Sequence, residues 1–91
     1  MSEVTIASRV GWTLRPGRTE GPRVYAAPLP RGPIAVLDGP AAVVWLAIVE
    51  DRPGPLVERV AEAVGEPVEV VAADVAAFVD ELVERGLVRT V

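Results

Sequence analysis

The chain has 91 residues, a hydrophobic fraction of 51% and a formal charge of −4. That length suits one compact domain spanning residues 1–91 and is too short for two, and the apolar content excludes disorder throughout. Every basic residue is arginine and there is no histidine or cysteine, which removes disulfides, thiolate and imidazole metal ligands and the usual general base.

The N-terminal ten residues lack a basic start followed by an apolar run, so no signal peptide is expected. Residues 4–10 alternate Val4, Ile6 and Ser8 against Thr5 and Ala7, a short strand pattern. Residues 12–15 form a second extended candidate, and Pro16 with Gly17 marks a turn. Residues 23–27 read as a strand with Val24 and Ala26 on one face and Tyr25 and Ala27 on the other, Tyr25 at a sheet rim. The loop Pro28-Leu29-Pro30-Arg31-Gly32 can close a hairpin. Pro33, Ile34, Ala35, Val36 and Leu37 then read as the last strand, with Pro33 at its start or on a sheet edge because it has no N–H to donate.

A first helix is expected from Pro40, since proline suits the first helical position, with Asp38 or Gly39 as its cap. Residues 41–49 are apolar all round, which marks a helix buried centrally, with Trp45 as a core anchor. They are also the longest apolar stretch and fall far short of the roughly 20 residues a membrane span needs, so a soluble, cytoplasmic protein is expected. A second helix starts near Pro55, carries Leu56, Val60 and Val64 on an apolar stripe widened by Val57 and Ala61, and stops at Gly65. A third runs over about residues 70–85. Val71, Val75, Phe78 and Leu82 form one apolar line, with Val79 and Val83 beside it. Either all six are core, or the first four are core and Val79 and Val83 line a groove. Gly86 ends this helix, and residues 87–91 form a short extended tail. The order is α+β: a small antiparallel N-terminal sheet followed by three helices.

No chemistry-bearing motif is present. Ser2 and Ser8 are the only serines, and there is no Gly-x-Ser-x-Gly elbow or phosphate loop. No catalytic residue, metal or cofactor is expected. A winged-helix DNA-binding regulator would share this element order, but its third helix would need cations for phosphates, whereas this one offers Asp74, Asp80, Glu81 and Glu84 against Arg85. A generic protein–protein adaptor remains compatible with the pattern.

Three stretches resemble one family. Gly32-Pro33-Ile34-Ala35-Val36-Leu37-Asp38-Gly39-Pro40-Ala41-Ala42-Val43-Val44-Trp45 is similar to a strand followed by a Leu-Asn-x-x-Ala-x-x-(Ile/Leu)-Trp helix start, with Asp38 where Asn is usual. Leu56-Val57-Glu58-Arg59-Val60-Ala61 resembles its short second helix. Asp74 to Val88 resembles its closing D-V-x-x-F-(V/L)-x-x-L-x-x-x-G-L-(V/I) signature, while residues 12–31 match poorly. The family is the PqqD-like precursor-peptide recognition elements, which serve pathways making ribosomally synthesised, post-translationally modified peptides. The resemblance implies a winged-helix-like domain that is not an enzyme. It would bind a precursor leader peptide as an added strand, in a lasso-type or PQQ-type pathway. The implied second partner is a modifying enzyme: a radical enzyme, a leader protease or a cyclase. Nucleic acid and membrane are not implied. The implied peptide-binding residues are Pro33, Ile34, Ala35, Val36 and Leu37 on the strand, and Val75, Phe78, Val79, Leu82 and Val83 on the third helix.

Overall fold

The computed structural model describes residues 4–16, 21–50 and 53–90. Along the chain lie β1 (Val4–Ile6), β2 (Val10–Arg15), β3 (Arg23–Pro28), β4 (Ala35–Asp38), α1 (Pro40–Val49), α2 (Leu56–Val64), α3 (Val68–Glu84) and β5 (Val88–Thr90). The class is α+β, with antiparallel strands preceding three helices.

β2, β3 and β4 form an antiparallel sheet in that order. Its register puts Trp12, Ala26 and Ala35 on one rung and Leu14, Val24 and Leu37 on another. Val24, Ala26, Ala35 and Leu37 are buried, so this face meets the helices. The opposite face carries Thr13, Tyr25 and Val36 on one rung. Tyr25 therefore sits on the outer face of the central strand, not at a rim. Side chains alternate strictly along a strand, so one register fixes both faces at once.

Residues 4–10 do not form the single strand that their alternation suggests. The chain turns at Ser8 and Arg9, and Arg9 adopts a positive φ of 62°. β1 thereby leaves the main sheet and pairs with β5, the strand formed by the expected C-terminal tail, in the register Val4 to Thr90, Thr5 to Arg89 and Ile6 to Val88. The Ala7 N–H donates to the Leu87 carbonyl at 3.0 Å and extends this union of the two ends. A period-two pattern cannot register a tight turn that keeps the alternation on both sides of it.

β4 begins at Ala35, two residues later than expected, because the preceding loop is tight. The Gly32 N–H donates to the Pro28 carbonyl at 2.7 Å. A Cβ on residue 32 would collide with the Pro28 ring and its carbonyl oxygen, so only glycine fits there. At the other end of the sheet Gly39 caps α1 through its backbone, with Pro40 in the first turn and no side-chain cap from Asp38.

α1 is the centre of the core. Ala42 and Trp45 are fully buried, and Val44, Ala47 and Ile48 nearly so. It packs on β4, β3, β1, α2 and α3. Trp12 of β2 meets Trp45 edge-on, with ring centroids 6.1 Å apart and planes at 69°, a favourable arrangement of ring quadrupoles.

α2 is pinned to the end of α1 by one side chain. The Arg59 guanidinium donates to the carbonyls of Ala47, Glu50 and Gly54. Two of these lie in the last turn of α1 and just beyond it, where carbonyls lack helical partners and the helix dipole is negative.

α3 starts at Val68, with Pro67 as its cap, two residues before the expected position. Gly86, at φ 73°, ends it. The Gly86 N–H donates to the Val83 carbonyl at 3.0 Å and the Leu87 N–H to the Leu82 carbonyl at 2.9 Å. This pair of bonds satisfies the last carbonyls and turns Leu87, fully buried, back onto the core.

Replacing Arg59 by Met keeps the stem but removes all three carbonyl contacts. The expected outcome is a loss of about 1–2 kcal/mol in urea unfolding, with an unchanged slope.

Candidate functional site

β4 is hydrogen-bonded to β3 on one side only; among the described residues no strand pairs with its other edge. In an edge strand alternate residues turn their N–H and C=O groups away from the sheet. Those groups on β4 are available to water or to another chain. The edge carries no charged side chain from Ile34 to Leu37, and Asp38 closes it.

The side chains along this edge alternate sharply. Ala35 and Leu37 point into the helical layer and are buried, at 4% and 8% exposure. Val36 is 54% exposed and shares its rung with Tyr25 on the outer face. Ile34 is 70% exposed, and it and the exposed Pro33 lie before the strand in the loop.

On α3, Val71, Val75 and Leu82 are buried core residues. Phe78 and Val79 are partly buried against that core, while Val83 is 40% exposed. Of the two arrangements open in the sequence, the structure fits neither fully: the apolar band grades from buried to exposed across the helix. Val68, exposed Ala72, Val79 and Val83 succeed one another around the same shoulder at about 100° per residue.

β4 packs chiefly on β3 and α1, whereas α3 packs chiefly on α1, α2 and β5. α1 thus touches both β4 and α3 and joins the two elements that carry the expected site. A separate hollow of about 290 Å³ lies between α1 and α2, lined by Val43, Leu46, Ala47, Glu50, Arg59, Glu62 and Ala63. It includes none of the expected peptide-binding residues. Its polar lining residues are Glu50, Arg59 and Glu62, and Arg59 there ties α2 to the end of α1.

Among the described residues no group of three or more His, Cys, Asp or Glu side chains is placed to hold a metal ion. No described helix is long and apolar enough to cross a membrane. Sequence reasoning did not single out Trp12. Its contact with Trp45 depends on the sheet register, which no local pattern contains.

The family model described as Coenzyme PQQ synthesis protein D (PqqD) matches residues 25–88, well over half of the chain. The chain belongs to the PqqD family. PqqD proteins are accessory proteins of PQQ and related peptide-derived biosynthesis, working with a pathway peptide and with enzymes. No curated protein and no solved structure matches the chain. The PqqD match begins within β3 and ends at the start of β5, so it takes in β4, all three helices and the whole candidate edge.

The alternation along β4 separates side chains that folding needs from those it does not. Val36→Asp should cost about 1 kcal/mol or less, because the side chain is exposed. Leu37→Asp should cost more than about 3 kcal/mol by burying an unpaired carboxylate. Urea denaturation of both variants measures the difference.

Proposed function

We propose that the chain is a leader-peptide recognition domain, winged-helix-like in arrangement, acting in the cytoplasm. It accepts the leader of a ribosomally made precursor as an extra strand along β4. It then presents the attached peptide to a separate modifying enzyme, whether a radical enzyme, a leader protease or a cyclase. The observation that carries this reading is the one-sided pairing, among the described residues, of β4, whose Ala35–Leu37 edge is uncharged, in a PqqD-family chain.

Main-chain hydrogen bonds supply the register and side chains the choice of sequence. A strand laid against β4 points every second side chain toward the helical layer. There it neighbours Ala35 and Leu37 and reaches for Phe78, Val79 and Val83 on α3. Val75 and Leu82, buried beneath, hold that helix in place. The intervening side chains lie over Val36 on the outer face. Two or three apolar anchors, each contributing about 1.5–3 kcal/mol on full burial, are enough for useful affinity. The cost of ordering an unstructured leader removes part of that gain.

The test is titration with synthetic leaders from open reading frames beside this gene, read by amide hydrogen exchange. The expected result is new protection at alternate residues between Ile34 and Asp38. Val83→Glu should weaken binding about tenfold or more, equivalent to about 1.4 kcal/mol, with the melting temperature retained. Tight binding with no change at β4 would overturn the reading.

A further inference from the structure

The two faces of β4 differ in more than burial. The inner face is apolar throughout, with Ala35 and Leu37 both buried, and α1 packs on β3 and β4 from that side. The outer face changes character within two residues. One rung there joins exposed Thr13, partly buried Tyr25 and Val36, and the next joins Arg15, Arg23 and Asp38. Val36 is 54% exposed although Tyr25 is its neighbour across the rung, and Ile34, two residues earlier in the loop, is 70% exposed. The outer face of β4 therefore passes from apolar to charged between Val36 and Asp38.

Such a step acts on the register of any strand added beside it. A shift of one residue turns every side chain to the wrong face, but a shift of two restores the faces. Apolar anchors directed inward meet Ala35 in one register and Leu37 in the other, apolar in both cases, so they oppose a two-residue slip weakly. The outward side chains meet Val36 and Tyr25 in one register, and Asp38 and Arg23 in the other. Side chains directly opposite on neighbouring strands lie about 4.5–5.5 Å apart, so a strand paired to β4 cannot avoid this choice. An apolar side chain beside Val36 covers it from water and continues the column that starts at Tyr25. The same side chain beside Asp38 would desolvate a carboxylate.

We infer that the outer face of the sheet sets the register of the peptide added at β4. That peptide carries a β-branched or aromatic side chain at the outward position beside Val36, and a polar one at the outward position beside Asp38. Val36 and Tyr25 are specificity-determining residues on the face opposite the helices, and Asp38 is the stop that opposes a slip. This rests on the strand-addition reading above and specifies its ligand. Register has a consequence for presentation, because a slip of two residues moves the attached peptide by about 7 Å relative to a docked enzyme.

The test uses twelve-residue peptides selected on the intact protein from a randomised display library. Intermolecular NOEs between peptide and β4 protons pair the residues one by one and identify the outward position beside Val36. Each peptide is then made with valine or serine at that position. The serine form should bind about threefold or more weaker, within the range of one cross-strand pair. On Val36→Thr, which keeps the shape and strand propensity of valine, that difference should shrink to less than about 1.5-fold. Asp38→Val should keep its fold, since Asp38 is exposed and its side chain makes no bond to the start of α1. It should let the valine peptide populate a second register two residues along, seen as a second set of NOEs. Equal binding of the valine and serine peptides at β4, a serine penalty unchanged by Val36→Thr, or a single register retained in Asp38→Val would overturn the register inference and leave strand addition standing. Selected peptides with no NOEs to β4, or no peptides selected at all, would overturn both.

Discussion

A β-strand must satisfy its main-chain donors and acceptors on both sides, and among the described residues β4 does so within the sheet on one side only. Everything proposed for this protein depends on that asymmetry. The usual protections of an edge are charge, proline, a bulge, a covering element or brevity. β4 uses brevity, with four residues, and places Pro33 and Asp38 just before and at its ends. Between those two the edge is left uncharged. Such an edge is safe from self-association because it is short, and can still template a few hydrogen bonds for a partner whose side chains add the rest.

That edge is of use only if it is held still. Behind it lies α1, whose Ala42, Val44 and Trp45 are essentially without solvent contact. Trp45 also meets Trp12 of β2 edge-on, so the same helix supports both β4 and β2. Gly32 fixes the entry to β4 by a turn that admits no side chain, and Gly39 and Pro40 fix the exit into α1. Arg59 then ties the far end of α1 to α2. β4 is thereby fixed at both ends, and for the proposed binding a rigid edge would reduce the ordering cost to that of the incoming peptide alone.

The parts legible in the sequence were those with strong local causes. Pro40 and the apolar run after it announced α1; Gly65 and Gly86 announced the ends of α2 and α3; the alternation of Val24 and Ala26 against Tyr25 and Ala27 announced β3. The parts that were not legible depend on distant partners. Nothing near residues 4–6 says that they pair with residues 88–90 and not with β2, and nothing near Trp12 says that it lies against Trp45. The candidate site stands between these cases. Its β4 residues were readable as a strand, and the family resemblance supplied α3, but the division between buried Val75 and Leu82 and exposed Val83 required the packing itself. Periodicity gives an apolar arc and not the neighbours that cover it.

Among the described residues the sheet has two open edges, and the proposed leader could pair with either. Edge availability alone does not decide between them, because β2 is longer than β4 and exposes Trp12 and Leu14. The helical layer does. α1 packs directly on β4 and β3 and contacts α3 in turn, so a strand added beyond β4 would continue the part of the sheet that α1 covers. A strand added beyond β2 would move away from the strands that α1 covers, past a half-exposed Trp12. Burial per added residue therefore favours β4. The family match points the same way, since it contains β4 and α3 entirely and leaves β2 outside. Backbone pairing is equally possible at either edge; the packing of α1 on β4 and β3 is what favours β4 for the proposed strand addition.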